Sequence, residues 1–243
     1  MILKRSKNRK YDELRNIELI PNYSKFADGS CFMKIGNTHV LCTASIESKV
    51  PQFIRGTGKG WVTAEYGMLP RSTQTRIQRE SVRNKQSGRT QEIQRLIGRT
   101  LRLAVDLEAL GERQIIIDCD VIQADGGTRT AAITCGYIAL HQAAKQLLKA
   151  KAIRKNPLIR RIAAISCGII NDNIYLDLEF IEDSMAAVDA NFIFDEHEKI
   201  VELQLTSEQS PLDTETLLKM LDISKKAVKI LLDKQQEVLN TDG

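Results

Sequence analysis

No stretch of this chain is apolar for anything like the roughly 20 residues that a membrane-spanning helix needs, which excludes an integral helical membrane protein. The amino-terminal segment, Met1 to Arg15, is basic but has no apolar block behind it, so it does not read as a secretory signal. None of the five cysteines, Cys31, Cys42, Cys119, Cys135 and Cys167, stands in a Cys-x-x-Cys pair. Most lie inside apolar segments, the pattern of buried, reduced thiols in a cytosolic protein. The three histidines, His39, His141 and His197, are too far apart in sequence to offer metal-ligand spacing. What remains, at 243 residues, 42% hydrophobic and 27% charged, is a cytoplasmic globular protein of one large domain or two small ones, with no membrane partner.

What the chain does have is positive charge gathered in one place. The formal net charge is only +4, yet Arg71, Arg76, Arg79, Arg83, Lys85, Arg89, Arg95, Arg99 and Arg102 follow one another, opposed only by Glu80 and Glu92. Such a local field attracts polyanions whatever the net charge, and arginine in place of lysine favours forked contacts to phosphate. Nucleic-acid contact is the favoured reading; a solvated surface or a subunit interface is the alternative.

The second feature is Gln123-Ala124-Asp125-Gly126-Gly127-Thr128-Arg129-Thr130. It follows the β-branched run Ile115 to Ile122 and precedes a helical run from Ala131 to about Lys149. A strand, a Gly-Gly turn and a helix start leave backbone N–H groups pointing outward at the positive end of the helix dipole, where an anion can sit. Thr128 adds a hydroxyl and Arg129 a guanidinium fork. The plain alternative is an ordinary turn that uses glycine for its positive φ.

Along the chain, Met1 to about Arg15 reads as an arm, or as a segment ordered only by a partner. Ile17 to Ile20 is short and apolar, and Ser30 to Lys34 and Thr38 to Ile46 read as two strands joined by a Gly36-Asn37 hairpin turn. Lys49 to Gly60 is a mobile loop, Trp61 to Tyr66 a strand, and Leu69 to Gly88 a long, basic, partly flexible segment. The 3–4 spacing of Ile93, Leu96, Ile97, Leu101, Ala104 and Val105 predicts a helix over Gln91 to Leu110, stopped by Gly111. After a connector at Lys149 to Pro157 come strands at Ile162–Ile170, Ile174–Phe180, Asn191–Phe194 and Ile200–Leu205, then a helix from Thr214 to Val238. Strands then helices, twice, predict an α+β fold of one domain over 1–243, with duplicated halves at about 15–148 and 158–240.

Asp177, Glu179, Glu182, Asp183 and Asp189 fall close together, and Asp183 and Asp189 flank a small-residue stretch able to fold back as a turn. Two convergent carboxylates beside a phosphate loop predict a divalent cation, Mg²⁺ or Mn²⁺ by oxygen preference. A carboxyl whose pKa is raised by its neighbour's charge can also protonate a leaving oxygen. An acidic surface loop is the alternative.

Four segments together resemble the ribonuclease PH family: Gly60-Trp61-Val62-Thr63-Ala64-Glu65-Tyr66-Gly67-Met68-Leu69-Pro70-Arg71-Ser72-Thr73, then Ser87 to Arg99, Asp120 to Ala132, and Glu182 to Asn191. The resemblance runs from about Asn8 to Leu203. It implies a fold like the second domain of ribosomal protein S5 and six subunits in a ring, a trimer of dimers. It implies that Arg89, Gly127, Thr128 and Arg129 bind phosphate. Asp183 and Asp189 would be the catalytic, metal-associated carboxylates, and Arg71, Arg76 and Arg79 would lie near the tRNA surface or subunit contacts. The stretch from Gln204 to Leu212 departs from the family pattern, with Leu205 where glycine is usual.

The activity so implied is a phosphate-dependent 3′→5′ exoribonuclease, or tRNA nucleotidyltransferase. It would trim tRNA precursors and other RNA 3′ ends with inorganic phosphate as co-substrate, release nucleoside diphosphates, and run in reverse as nucleotide addition. Two rivals are a catalytically silent RNA-binding subunit of an exosome-like ring, and a hydrolytic metal nuclease.

Overall fold

A computed structural model describes residues 5–83, 85–208 and 211–241. Strands β1 (Ile17–Pro21), β2 (Gly29–Ile35), β3 (Thr38–Glu47) and β4 (Trp61–Met68) are followed by helices α1 (Gly88–Leu103) and α2 (Leu107–Leu110), strand β5 (Gln114–Gln123) and helix α3 (Thr128–Lys149). Strands β6 (Ile162–Ile170) and β7 (Asn173–Leu176), helix α4 (Phe180–Asp183), strands β8 (Val188–Asp195) and β9 (Ile200–Ser207) and helix α5 (Thr214–Thr241) complete the chain. The class is α+β, with two sheets in the orders β1-β2-β3-β5-β4 and β7-β6-β8-β9. Among the described residues only β4 and β5 pair in parallel, as a strand–helix–strand connection requires, and every other strand pairing is antiparallel.

Helix α3 holds the sheets together. It packs on β2 and β3 of the first sheet and on β6 of the second. Apolar and small residues surround it nearly all the way round, as a helix caught between two layers needs. Strand β6, Ile-Ala-Ala-Ile-Ser-Cys-Gly-Ile-Ile, is buried along its whole length. The five cysteines are buried free thiols. Among the described residues no helix is long and apolar enough to cross a membrane.

Several elements differ from their sequence expectation. The helix expected over Gln91–Leu110 starts at Gly88, because the Ser87 side chain accepts the Thr90 N–H and caps it. It breaks after Leu103, where Val105 bridges to Leu158 and Asp106 caps the short α2. The strand expected to run to Phe180 ends at Leu176, since Asp177 takes a positive φ of 54°. Strand β8 begins three residues before Asn191 and so carries Asp189.

The largest correction concerns the expected amino-terminal arm. Residues 1–4 lie outside the described residues, but from Arg5 onward the segment is no arm: Arg5, Arg9 and Arg15 are all buried. The acidic residues that neutralise them lie more than 160 positions downstream, so a local reading sees only unpaired charge.

Candidate active site

The Gly-Gly turn and the acidic segment both line a cavity of about 730 Å³. At the turn, β5 ends at Gln123 and the chain is fixed on leaving it. The Ala124 N–H donates to the Ser72 carbonyl (2.8 Å), the Asp125 N–H to Thr38 Oγ1 (3.0 Å), and Thr38 Oγ1 to the Gly126 carbonyl (2.7 Å). Gly126 and Gly127 both have positive φ, 78° and 64°. A Cβ on Gly126 would come within 2.2 Å of the Leu178 carbonyl oxygen, so the turn lies directly on the acidic segment. Gly127 offers α3 no side-chain cap, and the Thr128 and Arg129 amides find no acceptor among the described residues. They are the free donors that the sequence pattern predicts.

Each side chain expected at the phosphate site is placed by a specific neighbour. Thr128 Oγ1 lies 2.8 Å from the hydroxyl of buried Tyr66. Burial raises the Tyr66 pKa, while the Thr128 bond and the Arg89 and Arg129 charges pull it down. Arg129 uses one terminal nitrogen on Gln204 (3.2 Å) and Glu92 (3.3 Å), and Gln204 donates to Glu92 (3.0 Å). Its Nε and second terminal nitrogen have no acceptor among the described residues, and neither has Arg89, exposed on the first turn of α1. Cationic donors are therefore held at the cavity without being used up.

In the acidic segment, the five clustered carboxylates divide into two sets. Arg5 makes a forked pair with Glu182 (2.7 and 2.8 Å), and Arg9 adds a contact at 3.3 Å. Arg15 binds Asp177 through its backbone N–H (2.8 Å), Nε (3.1 Å) and Nη2 (2.7 Å). Burial alone would raise the pKa of Asp177 and Glu182, but the arginine charges and hydrogen bonds hold both below the usual carboxylate range. Glu182 also accepts the Glu179 N–H (2.9 Å), closing a capping box that fixes α4.

Asp183 and Asp189 are left without such partners. Asp183 follows Glu182 on α4 and keeps an open face to the cavity; Asp189 projects from β8. Burial pushes both pKa values up. For Asp189 the Asp183 charge adds to the rise, and Arg129 and Arg89 oppose it in both. Among the described residues no third His, Cys, Asp or Glu completes a metal cage with them. Two carboxylates, with water and substrate phosphate filling the other positions, are nevertheless how Mg²⁺ is commonly held, so the donor set fits a hard cation.

Residues 13–146 match the profile of the 3′ exoribonuclease family, domain 1, and residues 161–227 match domain 2 of the same family. The chain belongs to the 3′ exoribonuclease family. It is 49% and 50% identical to ribonuclease PH of two strains of Cereibacter sphaeroides, over 235 residues that cover 97% of this chain and 99% of each relative. An Archaeoglobus fulgidus exosome with RNA bound to its active site shares the fold at a TM-score of 0.81 and 20% identity, covering 95% of this chain and 92% of that one. Rice (Oryza sativa) Rrp46 does so at 0.74 and 18%, covering 96% and 98%.

Within this 3′ exoribonuclease, Arg89, Gly127, Thr128, Arg129, Asp183 and Asp189 all line the one cavity. Arg71, Arg76 and Arg79 do not. They are exposed, while Ser72 to Thr75 and Ile77 of the same segment form part of the wall. That segment is anchored rather than loose: buried Ser72 accepts the Ala124 N–H, and the Ile77 N–H donates to Pro70 (2.9 Å). Sequence reasoning missed Arg5, Arg9 and Arg15, which hold the acidic side, and Glu92 and Gln204, which aim Arg129. For the arginines a signal existed: three arginines, Arg5, Arg9 and Arg15, near one end and three further carboxylates at Asp177, Glu179 and Glu182. For Gln204 nothing local marks the role.

Proposed function

We propose that this cavity is where inorganic phosphate meets the 3′ end of an RNA chain. The free guanidinium nitrogens of Arg89 and Arg129, the Thr128 hydroxyl and the first amides of α3 from Gly127 onward hold the attacking phosphate. A phosphate oxygen attacks the phosphorus of the last internucleotide linkage, the bond to the 3′ oxygen of the preceding nucleotide breaks, and that oxygen takes up a proton. The products are a nucleoside 5′-diphosphate and an RNA one residue shorter, and the reverse reaction adds a nucleotide. Two anions must approach closely, so the chain's contribution is to orient them and offset their charge. Asp183 and Asp189 are the site for Mg²⁺ or Mn²⁺, which would neutralise charge on the scissile phosphate.

The observation that carries this reading is the convergence of unspent cationic donors and two unpaired carboxylates on one cavity. The substrates are tRNA precursors and other RNA 3′ ends, with Arg71, Arg76 and Arg79 contacting RNA phosphates outside the cavity. The subunits form a homo-hexameric ring, a trimer of dimers, a reading supported by the likeness to exosome subunits. The test is to incubate the protein with a 3′-extended tRNA with and without phosphate. Nucleoside diphosphates formed only with phosphate support phosphorolysis. Monophosphates formed equally without it would indicate a hydrolytic nuclease, and RNA binding without turnover a silent ring subunit.

A further inference from the structure

Phe180 is 58% exposed, although it is a large aromatic residue at the site. It opens α4 and lines the cavity, one helical turn before Asp183. It is the one aromatic residue among those lining the cavity in the described residues. No ring or cation contact occupies its faces among the described residues. Its backbone, by contrast, is fixed. The Phe180 N–H donates to Asp125 Oδ1 (3.3 Å), and the other Asp125 oxygen is held by Asn37 Nδ2 (3.1 Å). A Cβ on Gly126 would sit 2.9 Å from the Phe180 nitrogen, so this end of α4 rests on the glycine turn.

A ring on a fixed backbone with open faces, one turn from Asp183 and against the glycine turn, has a chemical counterpart in the substrate. A 3′ exonuclease that removes successive nucleotides must grip whichever base comes last. Hydrogen bonds to base edges discriminate between bases, whereas stacking accepts all of them because every base has a π-face. We propose that Phe180 is the stacking platform for the base at the RNA 3′ end. This positioning residue fixes the terminal nucleotide so that its linkage faces the phosphate site. The proposal rests on the phosphorolytic reading of the cavity, but its test does not depend on turnover.

The experiment measures equilibrium binding of two RNAs, without phosphate, to the parent, Phe180→Leu and Phe180→Trp. The RNAs are identical except that one lacks the base of its 3′-terminal nucleotide. The parent and Phe180→Trp should prefer the intact RNA by about 5- to 100-fold, and Phe180→Leu should bind both RNAs alike. In turnover, Phe180→Leu should raise KM for RNA by a similar factor and leave KM for phosphate unchanged. If Phe180→Leu kept the parent's preference, or if the parent had none, the stacking role would be overturned. A lowered oligomer mass for Phe180→Leu, with the base preference intact, would assign the exposed Phe180, Ile181 and Met185 to a subunit contact instead. Absence of phosphate-dependent turnover in the parent would defeat the phosphorolytic reading while leaving the binding result to stand by itself.

Discussion

Arg15 and Asp177 are joined three times, through the arginine's backbone N–H, Nε and Nη2, and the same guanidinium reaches the carbonyl of Asp125 at 2.5 Å. One side chain thus ties the Gly126–Gly127 turn to the strand end that leads into the acidic segment. Arg5 in turn binds Glu182, directly beside Asp183, and the carbonyls of Leu176 and Asp177. The turn and the acidic segment are therefore positioned by residues that do not line the cavity.

Arg15→Ala should destabilise the fold by about 3–5 kcal/mol, because it leaves a buried carboxylate without its cation. Urea denaturation at neutral pH measures this. The acid side supplies an independent check. The folded Asp177 pKa is depressed, so the pair's contribution is complete above the unfolded value near 4 and is lost as pH falls through the lower folded value. Between about pH 5 and pH 2 the parent's stability should fall more steeply than that of Asp177→Asn. Equal slopes would mean that this pair does not set the acid limit.

Arg129→Ala should leave the protein folded and cut the use of phosphate about 10- to 100-fold, the loss expected when hydrogen bonds worth roughly 1.5–3 kcal/mol to a charged ligand disappear. Phosphate dependence of the initial rate measures it. Glu92→Gln should be milder, since it loosens the aim of Arg129 but keeps the charge.

Asp183→Asn and Asp189→Asn should each abolish turnover while sparing RNA binding. Both carboxyl pKa values are raised in the fold, so ionising them opposes folding at neutral pH, and this opposition is relieved as pH falls through the raised values. Asp189→Asn should therefore melt higher than the parent in chelator. Added Mg²⁺ should raise the melting temperature of the parent and not that of the variant. A parent melting temperature indifferent to Mg²⁺ and Mn²⁺ would argue against a cation at this pair.

Arg76→Ala and Arg79→Ala should weaken tRNA binding uniformly across sequences and shrink the salt slope by about one phosphate contact each. Binding measured against salt, alongside oligomer mass, decides the matter. An unchanged slope with a lowered mass would place these arginines in subunit contacts.

The elements legible in the sequence were those whose apolar pattern reports which of their faces are buried. The alternation in β3, the apolar stripe of α1 and the continuous apolar run of β6 each declare their partner layer locally. The turn at Gly126 and Gly127 was legible because glycine, lacking a Cβ, takes positive φ with the least strain. Asp183 and Asp189 were found as members of a cluster, but the reason they remain free was not. It depends on Arg5, Arg9 and Arg15 neutralising the other carboxylates, a pairing with no local trace. The break after Leu103 was hidden for a similar reason: the bridge from Val105 to Leu158 spans the whole of β5 and α3.

The pairing of Arg5 with Glu182 spans 177 positions, and translation therefore imposes an order on it. Arg5 is made 177 residues before Glu182 and waits on the order of 10 to 35 s, at about 5–20 residues per second, before its partner exists. During that interval the nascent chain can fold its first sheet and present the Gly126–Gly127 turn. Until the second half is made, that turn stands without the two carboxylates that share its cavity.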